Sequence, residues 1–331
     1  MSSPPVPDGS SGAGSHPHHL AGISCGAGAG ALWGLVFLAP ALVHDFSPVL
    51  LTIGRYLCYG LIAAALVIPK WRSLAARLPK SQWRNLIWLA FTGNTLYYIL
   101  LSSAVQTGGI AMTSLVIGFL PVAVTVIGSR EHGAVALAKL LPSLLLCAAG
   151  ALCIGWQALA TPGTGSTGRQ VFGLLCAVGA LASWTAFAVG NARCLAQLKQ
   201  ISAQEWSLLC GIVTGAQSLL LVPLALALET AVHSGSEWAR FGMVSMGVAV
   251  LASIFGNALW NRMSRLLPLT LVGQMILFET LFALLYAFVW EHRLPRGLEI
   301  MALALVTMSV LSCLAAHRRS APTANPETGV A

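Results

Sequence analysis

The sequence predicts an all-α membrane protein in which ten transmembrane helices form two inverted five-helix repeats. Three observations support this prediction: the composition is strongly apolar, apolar runs of bilayer-spanning length recur, and the second half of the chain repeats the first. Of the 331 residues, 56% are hydrophobic and 8% are charged, and the mean hydropathy is +0.79. A soluble domain typically has about 25% charged residues. The composition therefore indicates a polytopic membrane protein.

The apolar runs are long enough to cross a membrane as helices. Each has about 18–22 residues, which spans a hydrocarbon core about 30 Å thick. Barrel strands need only about 9–11 alternating residues, whereas these runs are continuously apolar, which favours helices. The predicted helices cover residues 22–43, 49–68, 84–102, 110–128, 137–156, 172–191, 206–228, 241–260, 270–289 and 298–316.

The segments outside these runs are short. Residues 1–19 are rich in Pro, Gly, Ser and His and lack Lys and Arg, so we expect a disordered N-terminal tail that binds no metal specifically. No basic region precedes the first run, which predicts that this run is retained as a helix and not cleaved as a signal peptide. We expect a linker at residues 158–170 and a disordered C-terminal tail at residues 318–331.

The positive charge predicts how the chain is oriented in the membrane. The net charge of +8 comes mainly from Lys and Arg residues in the loops between the runs. With a cytoplasmic N-terminus, 13 of these residues face the cytoplasm and four face the opposite side. Cytoplasmic loops carry the excess of Lys and Arg, so both termini are predicted to be cytoplasmic. This explanation of the charge removes the need for a nucleic-acid partner.

The two halves of the chain share short sequence patterns in the same order. The stretch "GAGALWGLVF" at 28–37 aligns with "GALASWTAFA" at 179–188. Further along, "GNTLYY" at 93–98 aligns with "GNALWN" at 256–261. Each match is short, but their common order indicates an internal repeat.

The repeat unit contains five predicted helices, the first unit covering residues 20–157 and the second residues 171–317. Because five crossings are an odd number, the second unit enters the membrane upside down relative to the first. A pseudo-twofold axis in the membrane plane then relates the two units. Secondary transporters use such inverted repeats, because exchanging the conformations of the two halves opens a central cavity first to one side and then to the other.

Several of these stretches resemble a known family, the EamA-type ten-helix members of the drug/metabolite transporter superfamily. The resemblance covers roughly residues 20–317 and is moderately specific. One departure is that the proline expected in the ninth helix, equivalent to Pro121 in the fourth, is replaced by Glu279. The matching stretches are "GALWG" in the first helix, "SPVLLTIGRYLCYGLIAAAL" in the second, "FLPVAVTVIGSREH" after the fourth begins, and "FETLFALLYAFVWEH" in the ninth.

Two charged residues lie inside predicted spans. An ionised carboxylate at the bilayer centre costs several kcal/mol, so Glu279 is a candidate proton carrier. The alternative is a structural carboxylate tied to Arg55 or to Ser and Thr hydroxyls. Arg55, deep in the second span, is a candidate clamp for a substrate carboxylate. Its alternative role is that of a snorkelling or inter-helix structural arginine.

Neutral side chains inside the spans are candidates for lining a substrate path. Trp33 and Trp184 are repeat-related and lie mid-helix, so they either face a cavity or pack against helices and lipid. Asn94 and Asn257 are also repeat-related and offer hydrogen-bonding amides. Aromatic walls and a further amide are expected from residues close to these positions, namely Tyr97, Tyr98, Trp260 and Gln274.

No pattern of catalytic or cofactor-binding residues is visible. The eight cysteines lie within or at the ends of apolar runs and form no CxxC pair, so they are interpreted as packing residues and not as metal ligands or disulfides. A nucleotide-binding loop and a nucleophile with a neighbouring base are also absent from the sequence. We therefore expect no enzymatic activity, no cofactor and no metal.

Together these patterns predict a secondary active transporter in a bacterial-type inner membrane. The expected activity is export of a small metabolite, such as an amino acid, in exchange for protons. A multidrug or cationic-compound exporter and a metabolite uptake permease are the alternatives. The expected partners are the small-molecule substrate, protons and membrane lipid.

Overall fold

A computed structural model describes residues 15–128, 137–160, 167–198, 200–266 and 269–320. Within these ranges every regular element is a helix and none is a strand. The α-helices are α1 Ser15–Leu42, α2 Pro48–Val67, α3 Trp71–Arg77, α4 Lys80–Ala90, α5 Tyr97–Gly108, α6 Ile110–Ile117, α7 Leu120–Gly128, α8 Leu137–Ala160, α9 Thr167–Gln197, α10 Ala203–Leu220, α11 Val222–Leu228, α12 Gly235–Val248, α13 Asn257–Leu266, α14 Leu269–Trp290 and α15 Gly297–Ser320.

The boundaries differ from the predicted ones mainly at the tails. Helix α1 begins at Ser15, inside the stretch expected as the N-terminal tail, and α15 extends to Ser320, beyond the predicted end of the second repeat. Residues 1–14, 321–331 and most of the predicted linker lie outside the described ranges.

Several helices of the described chain are long and apolar enough to cross a membrane. A bent pair, Ala203–Leu220 with Val222–Leu228, turns by 46° and adds a sixth span if it is counted as one. Four shorter apolar helices coincide with further predicted runs. These findings make the chain a multi-pass helical membrane protein. The five full spans are Leu20–Leu42, Pro48–Arg77, Lys80–Gly108, Thr167–Leu195 and Gly235–Met263.

Besides the bend between α10 and α11, irregular backbone occurs within three other predicted spans. Residues Phe91–Leu96 form a π-helical segment between α4 and α5, and Ala249–Gly256 form another between α12 and α13. A π segment disturbs the normal hydrogen-bond ladder and often lies at a functional site. The third irregularity separates α6 from α7 at Gly118 and Phe119, where Pro121, the second residue of α7, supplies no backbone N–H.

Helix packing joins the two halves of the chain throughout. Helix α1 packs on α14, α2 on α10, α5 on α9 and α8 on α15. In the pair α2–α10, a glycine of each helix lies against the backbone of the other helix. A Cβ on Gly60 would lie 2.8 Å from the Cα of Gly215, and a Cβ on Gly215 would lie 2.9 Å from the Cα of Gly60. The backbones of α2 and α10 therefore touch at this crossing.

A line of glycines lets α1 approach α14 closely. A Cβ on Gly30 would lie 2.9 Å from the backbone nitrogen of Glu279, and a Cβ on Gly34 would lie 3.0 Å from that of Ala283. One turn earlier, a Cβ on Gly26 would lie 2.8 Å from the side-chain sulfur of Met275. This contact fixes the backbone of α14 at the position of its carboxylate.

Polar contacts tie the halves together at both ends of the bundle. At one end, Asp45 accepts a hydrogen bond from Arg240 at 2.6 Å. At the other end, Glu205 accepts one from Arg77 at 2.8 Å and closes a capping box with Ser202 at the start of α10. The hydrogen bond from the Ser202 backbone N–H, together with Arg77, lowers the pKa of Glu205. Both carboxylate contacts therefore stabilise the association of the two halves.

Candidate functional site

A helix of the opposite half of the chain contacts each π segment. The indole Nε1 of Trp33 on α1 donates to the backbone oxygen of Ala252 at 3.1 Å. The hydroxyl of Ser183 on α9 donates to the backbone oxygen of Thr92 at 2.7 Å. Both acceptors lie in π segments, where the carbonyl ladder is disturbed. Each half thus places its first helix against the irregular backbone of the other half.

Aromatic rings surround both contacts. Trp33 packs on Trp260 with ring centroids 5.0 Å apart, and Trp184 packs on Tyr97 at 6.4 Å and on Phe187 at 5.6 Å. No ring contact between Trp33 and Trp184 occurs in the described structure. The two tryptophans are partly exposed, and each lies beside the bulged helix of the opposite half.

Arg55 is buried, with 7% of its surface exposed, and it lies on aromatic faces. Its guanidinium carbon is 4.3 Å from the ring centroid of Tyr98 and 5.0 Å from that of Tyr56. Nη2 donates to the hydroxyl of Ser253 at 3.4 Å. Nε and Nη1 are buried and have no hydrogen-bond partner. Ring faces stabilise the charge, while two nitrogens of the fork are left for an acceptor.

Further unsatisfied polar atoms lie close to Arg55. The hydroxyls of Tyr98, Ser102 and Ser245 are buried and form no hydrogen bond of normal geometry, although the Tyr98 hydroxyl lies close enough to Arg55 and Ser102 to interact with both. Ser102 is one turn from Tyr98, and the Ser245 hydroxyl would lie 2.6 Å from a Cβ on Gly54. Buried polar groups nearly always have a partner, so such a group requires water or a ligand to satisfy it. The surroundings of Arg55 therefore suit a polar ligand.

Glu279 faces the interior of the bundle. Leu281 and Leu285 are 44% and 52% exposed, and at 100° per residue they lie about 200° and 240° around the helix from Glu279. The side of α14 opposite these leucines carries Glu279, a residue of intermediate exposure whose carboxylate is desolvated by burial. The charge of Arg55 acts on Glu279, and the charge of Glu279 acts on Tyr97.

No ion pair within 4.0 Å joins Glu279 to Arg55, and the described residues give Glu279 no hydrogen bond. Among the described residues, Glu279 therefore has neither an ion pair with Arg55 nor a hydrogen bond with a Ser or Thr hydroxyl. The break in the fourth predicted helix lies beside this position, since a Cβ on Gly118 would be 3.2 Å from the hydroxyl of Thr280.

The two repeat-related asparagines both hydrogen-bond to α10. Asn94 Nδ2 donates to the hydroxyl of Thr214 at 3.0 Å. Asn257 Nδ2 donates to the hydroxyl of Ser207 at 3.2 Å and to the backbone oxygen of Ser253 at 2.8 Å. Since Ser253 also contacts Arg55, Asn257 belongs to the same hydrogen-bonded group. Both asparagines are partly exposed. The side chain of Gln274 lies outside the described part of the structure.

Comparison with known proteins agrees with this architecture. Residues 20–156 match the sequence model of the EamA-like transporter family. The curated "Inner membrane protein YtfF" of Escherichia coli (strain K12) is 31% identical over 297 residues, which cover 86% of this chain and 91% of YtfF. The chain belongs to the EamA-like transporter family. The resemblance to the drug/metabolite transporter superfamily seen in the sequence is thereby confirmed.

The fold of this EamA-family chain is also found in a solved crystal structure. The two share a TM-score of 0.59 and 20% sequence identity, and the match covers 93% of this chain and 99% of the other. At this identity the likeness concerns the fold alone. Membership of a transporter family agrees with the expectation that the chain is not an enzyme.

Sequence reasoning missed several residues around Arg55 of this EamA-family protein. Tyrosine and serine are common in apolar helices, so the residue type alone does not distinguish a site residue from a packing residue. The residues missed for this reason are Tyr56, Ser102, Ser245 and Ser253. Ser253 lies 198 positions from Arg55 in the chain. One signal did exist, because Tyr56 directly follows Arg55 and aromatic faces often accompany a buried guanidinium.

Proposed function

We propose that this EamA-family protein is a secondary active transporter of a bacterial-type inner membrane, with ten transmembrane helices in two inverted repeats, that exports an amino acid or a similar zwitterion in exchange for protons. The observation that carries the proposal is the pair of opposite charges, Arg55 and Glu279, which face the interior without contacting each other. Intramembrane charges usually mark a substrate or ion path.

The chemistry of the two groups suits a zwitterion. The unpaired nitrogens of Arg55 form a planar fork that binds a carboxylate. The unpaired carboxylate of Glu279 binds a substrate ammonium group only when it is ionised. A proton on Glu279 and a bound zwitterion therefore exclude each other. Because the proton and the substrate compete for Glu279, the outward movement of substrate is coupled to the inward movement of a proton.

Reciprocal contacts support the inverted arrangement. The crossing of Gly60 with Gly215, and the docking of Trp33 and Ser183 on the π segment of the opposite half, relate positions of one half to those of the other. The excess of Lys and Arg on one side, 13 against four, supports cytoplasmic termini. The name of YtfF, an inner membrane protein, supports the same membrane here.

One observation favours a second candidate, an exporter of organic cations. Glu279 has no partner among the described residues, and the nearby rings of Trp33 and Trp260 offer faces for a cation. The buried positive charge of Arg55 opposes this alternative because it repels a cation that has no carboxylate.

Transport in proteoliposomes tests the proposal. Purified full-length protein is reconstituted, and the flux of a panel of amino acids and of quaternary ammonium compounds is measured with and without a proton gradient. We expect gradient-dependent flux of at least one amino acid, accompanied by a proton signal from a pH-sensitive dye. The variant Arg55→Lys keeps the charge but loses the fork, so it should transport that amino acid with a higher KM. Flux of the quaternary compounds alone would establish the second candidate instead.

A further inference from the structure

Two loops that carry metal-ligating side chains meet at one end of the bundle, away from Arg55 and Glu279. Asp45 lies between α1 and α2, His233 lies between α11 and α12, and Glu237 lies in the first turn of α12. Each offers one ligand atom, and the three atoms lie within 4.8 Å of one another. We call these residues the loop cluster. It combines an imidazole from the second half of the chain with carboxylates from both halves.

One carboxylate oxygen of Asp45 has no hydrogen-bond partner. Its Oδ2 accepts a hydrogen bond from Nη2 of Arg240 at 2.6 Å, which fixes the orientation of the carboxylate. Its Oδ1 is buried and has no hydrogen-bond partner. A buried carboxylate oxygen left in this state is costly, because it has lost its water without gaining another donor. Asp45 therefore has an unfilled position for a cation.

His233 is oriented like a metal ligand. Its side chain is only 5% exposed, and its ring stacks on Phe46 with centroids 4.0 Å apart. Nε2 lies 3.1 Å from Oε1 of Glu229, whose Oε2 accepts from the backbone N–H of Ser47 at 3.0 Å. Ligating histidines usually donate their second N–H to a carboxylate in this way. In the neutral tautomer that donates Nε2–H to Glu229, Nδ1 carries the lone pair that a metal ion needs.

The two glutamates near His233 are each held by a backbone N–H. That of Ser47 donates to Oε2 of Glu229 at 3.0 Å, and that of Ser234 donates to Oε2 of Glu237 at 2.6 Å. That capping bond uses Oε2 of Glu237 and leaves Oε1 available.

We propose that Asp45, His233 and Glu237 bind a divalent transition-metal ion of the Zn²⁺ type. Three atoms within 4.8 Å have a common centre about 2.8 Å or less from each, so small side-chain movements reach the ligand distances of about 2.0–2.2 Å. One imidazole and two carboxylates suit Zn²⁺ better than the all-oxygen ions Mg²⁺ and Ca²⁺. The two carboxylate charges exceed the single charge of Arg240. A bound ion would tie the α1–α2 loop of one half to the α11–α12 loop of the other.

The test is a Zn²⁺ titration of the full-length, tag-free protein by calorimetry. His16, His18 and His19 at the start of α1 are replaced by alanine in every sample, so that any binding by these neighbouring histidines does not enter the titration. We expect saturable binding of one ion per chain. Glu237→Gln should weaken it at least tenfold, and because glutamine retains the capping box, this variant should fold normally. Asp45→Asn and His233→Gln should weaken binding similarly.

His44→Gln is the matched control, because His44 is exposed on the same loop as Asp45 and is not part of the loop cluster. It should leave the affinity unchanged. The melting temperature of each variant without metal identifies any variant that fails to fold. If Asp45→Asn or His233→Gln fails to fold, the affinity of Glu237→Gln alone tests the proposal. An affinity that is the same in Glu237→Gln as in the parent, or the absence of saturable binding in the parent, would overturn the proposal.

Discussion

Ser143 and Ser309 exchange hydrogen bonds between α8 and α15. The hydroxyl of each serine donates to the backbone oxygen of the other, and both distances are 2.8 Å. One serine belongs to the first predicted repeat and the other to the second. Together with the crossing of Gly60 and Gly215, this exchange joins the two halves of the chain at a second point.

Opposite orientation of the two halves predicts where reporters should appear. A reporter fused after Ala316 should be cytoplasmic, and one inserted in residues 160–170 should be periplasmic, because five crossings separate these sites. Paired enzymatic reporters that are active on only one side of the membrane measure this. Detection of both fusions on the same side would rule out the arrangement of five plus five helices.

The crossing of α2 and α10 predicts a strong effect of a single methyl group. Gly60→Ala and Gly215→Ala each place a Cβ within 3 Å of backbone, so each should destabilise the fold by about 1–3 kcal/mol through overpacking. Gly242→Ala in α12 is the matched control, since no atom lies within 4 Å of its added Cβ. Thermal stability of the purified variants measures the difference. Equal melting temperatures for all three variants would contradict the described crossing.

The capping box at α10 predicts a pH-dependent contribution to stability. The pKa of Glu205 is lowered by the Ser202 N–H and by Arg77, so the ionised form stabilises the fold. A lowered carboxyl pKa contributes stability above its unfolded value, and the contribution is lost as the pH falls through the folded value. Glu205→Gln keeps the cap but loses the charge. The melting temperature of Glu205→Gln should lie below that of the parent at pH 7. The difference between the two melting temperatures should become smaller as the pH falls.

That prediction is wrong if the gap between parent and Glu205→Gln stays constant from pH 7 to pH 3. Serine at position 202 should be retained in both proteins, so that the cap itself is unchanged.

Apolar periodicity and internal similarity predicted much of what the structure contains. Each predicted run coincides with helical structure. The matched stretches "GNTLYY" at 93–98 and "GNALWN" at 256–261 overlap the two π segments, which were not predicted from the sequence. Glu279 was recognisable because a carboxylate in an apolar run is unusual. The fold class is confirmed as all-helical within the described residues, while the ten-span inverted arrangement remains a prediction.

The surroundings of Arg55 and the loop cluster depend on contacts between residues that are distant in the chain, and no sequence pattern predicts them. Nothing in the type or spacing of Tyr98 and Ser253 indicates that they contact Arg55. The loop cluster was missed for the same reason, because Asp45 lies far from His233 in the chain and metal motifs are recognised by short spacings. Whether Arg55 and Glu279 pair also required coordinates, since helix rotation decides it.

The central claim is that Glu279 carries the coupled proton and competes with the substrate for one site. The measurement is proton-gradient-driven flux of the transported amino acid by the Glu279→Gln protein in liposomes, beside Glu291→Gln at the end of the same helix as the control. Glutamine cannot ionise, so we predict that Glu279→Gln folds, loses the response to the gradient and moves no protons, whereas Glu291→Gln retains both. Full proton-coupled transport by well-folded Glu279→Gln would contradict the claim.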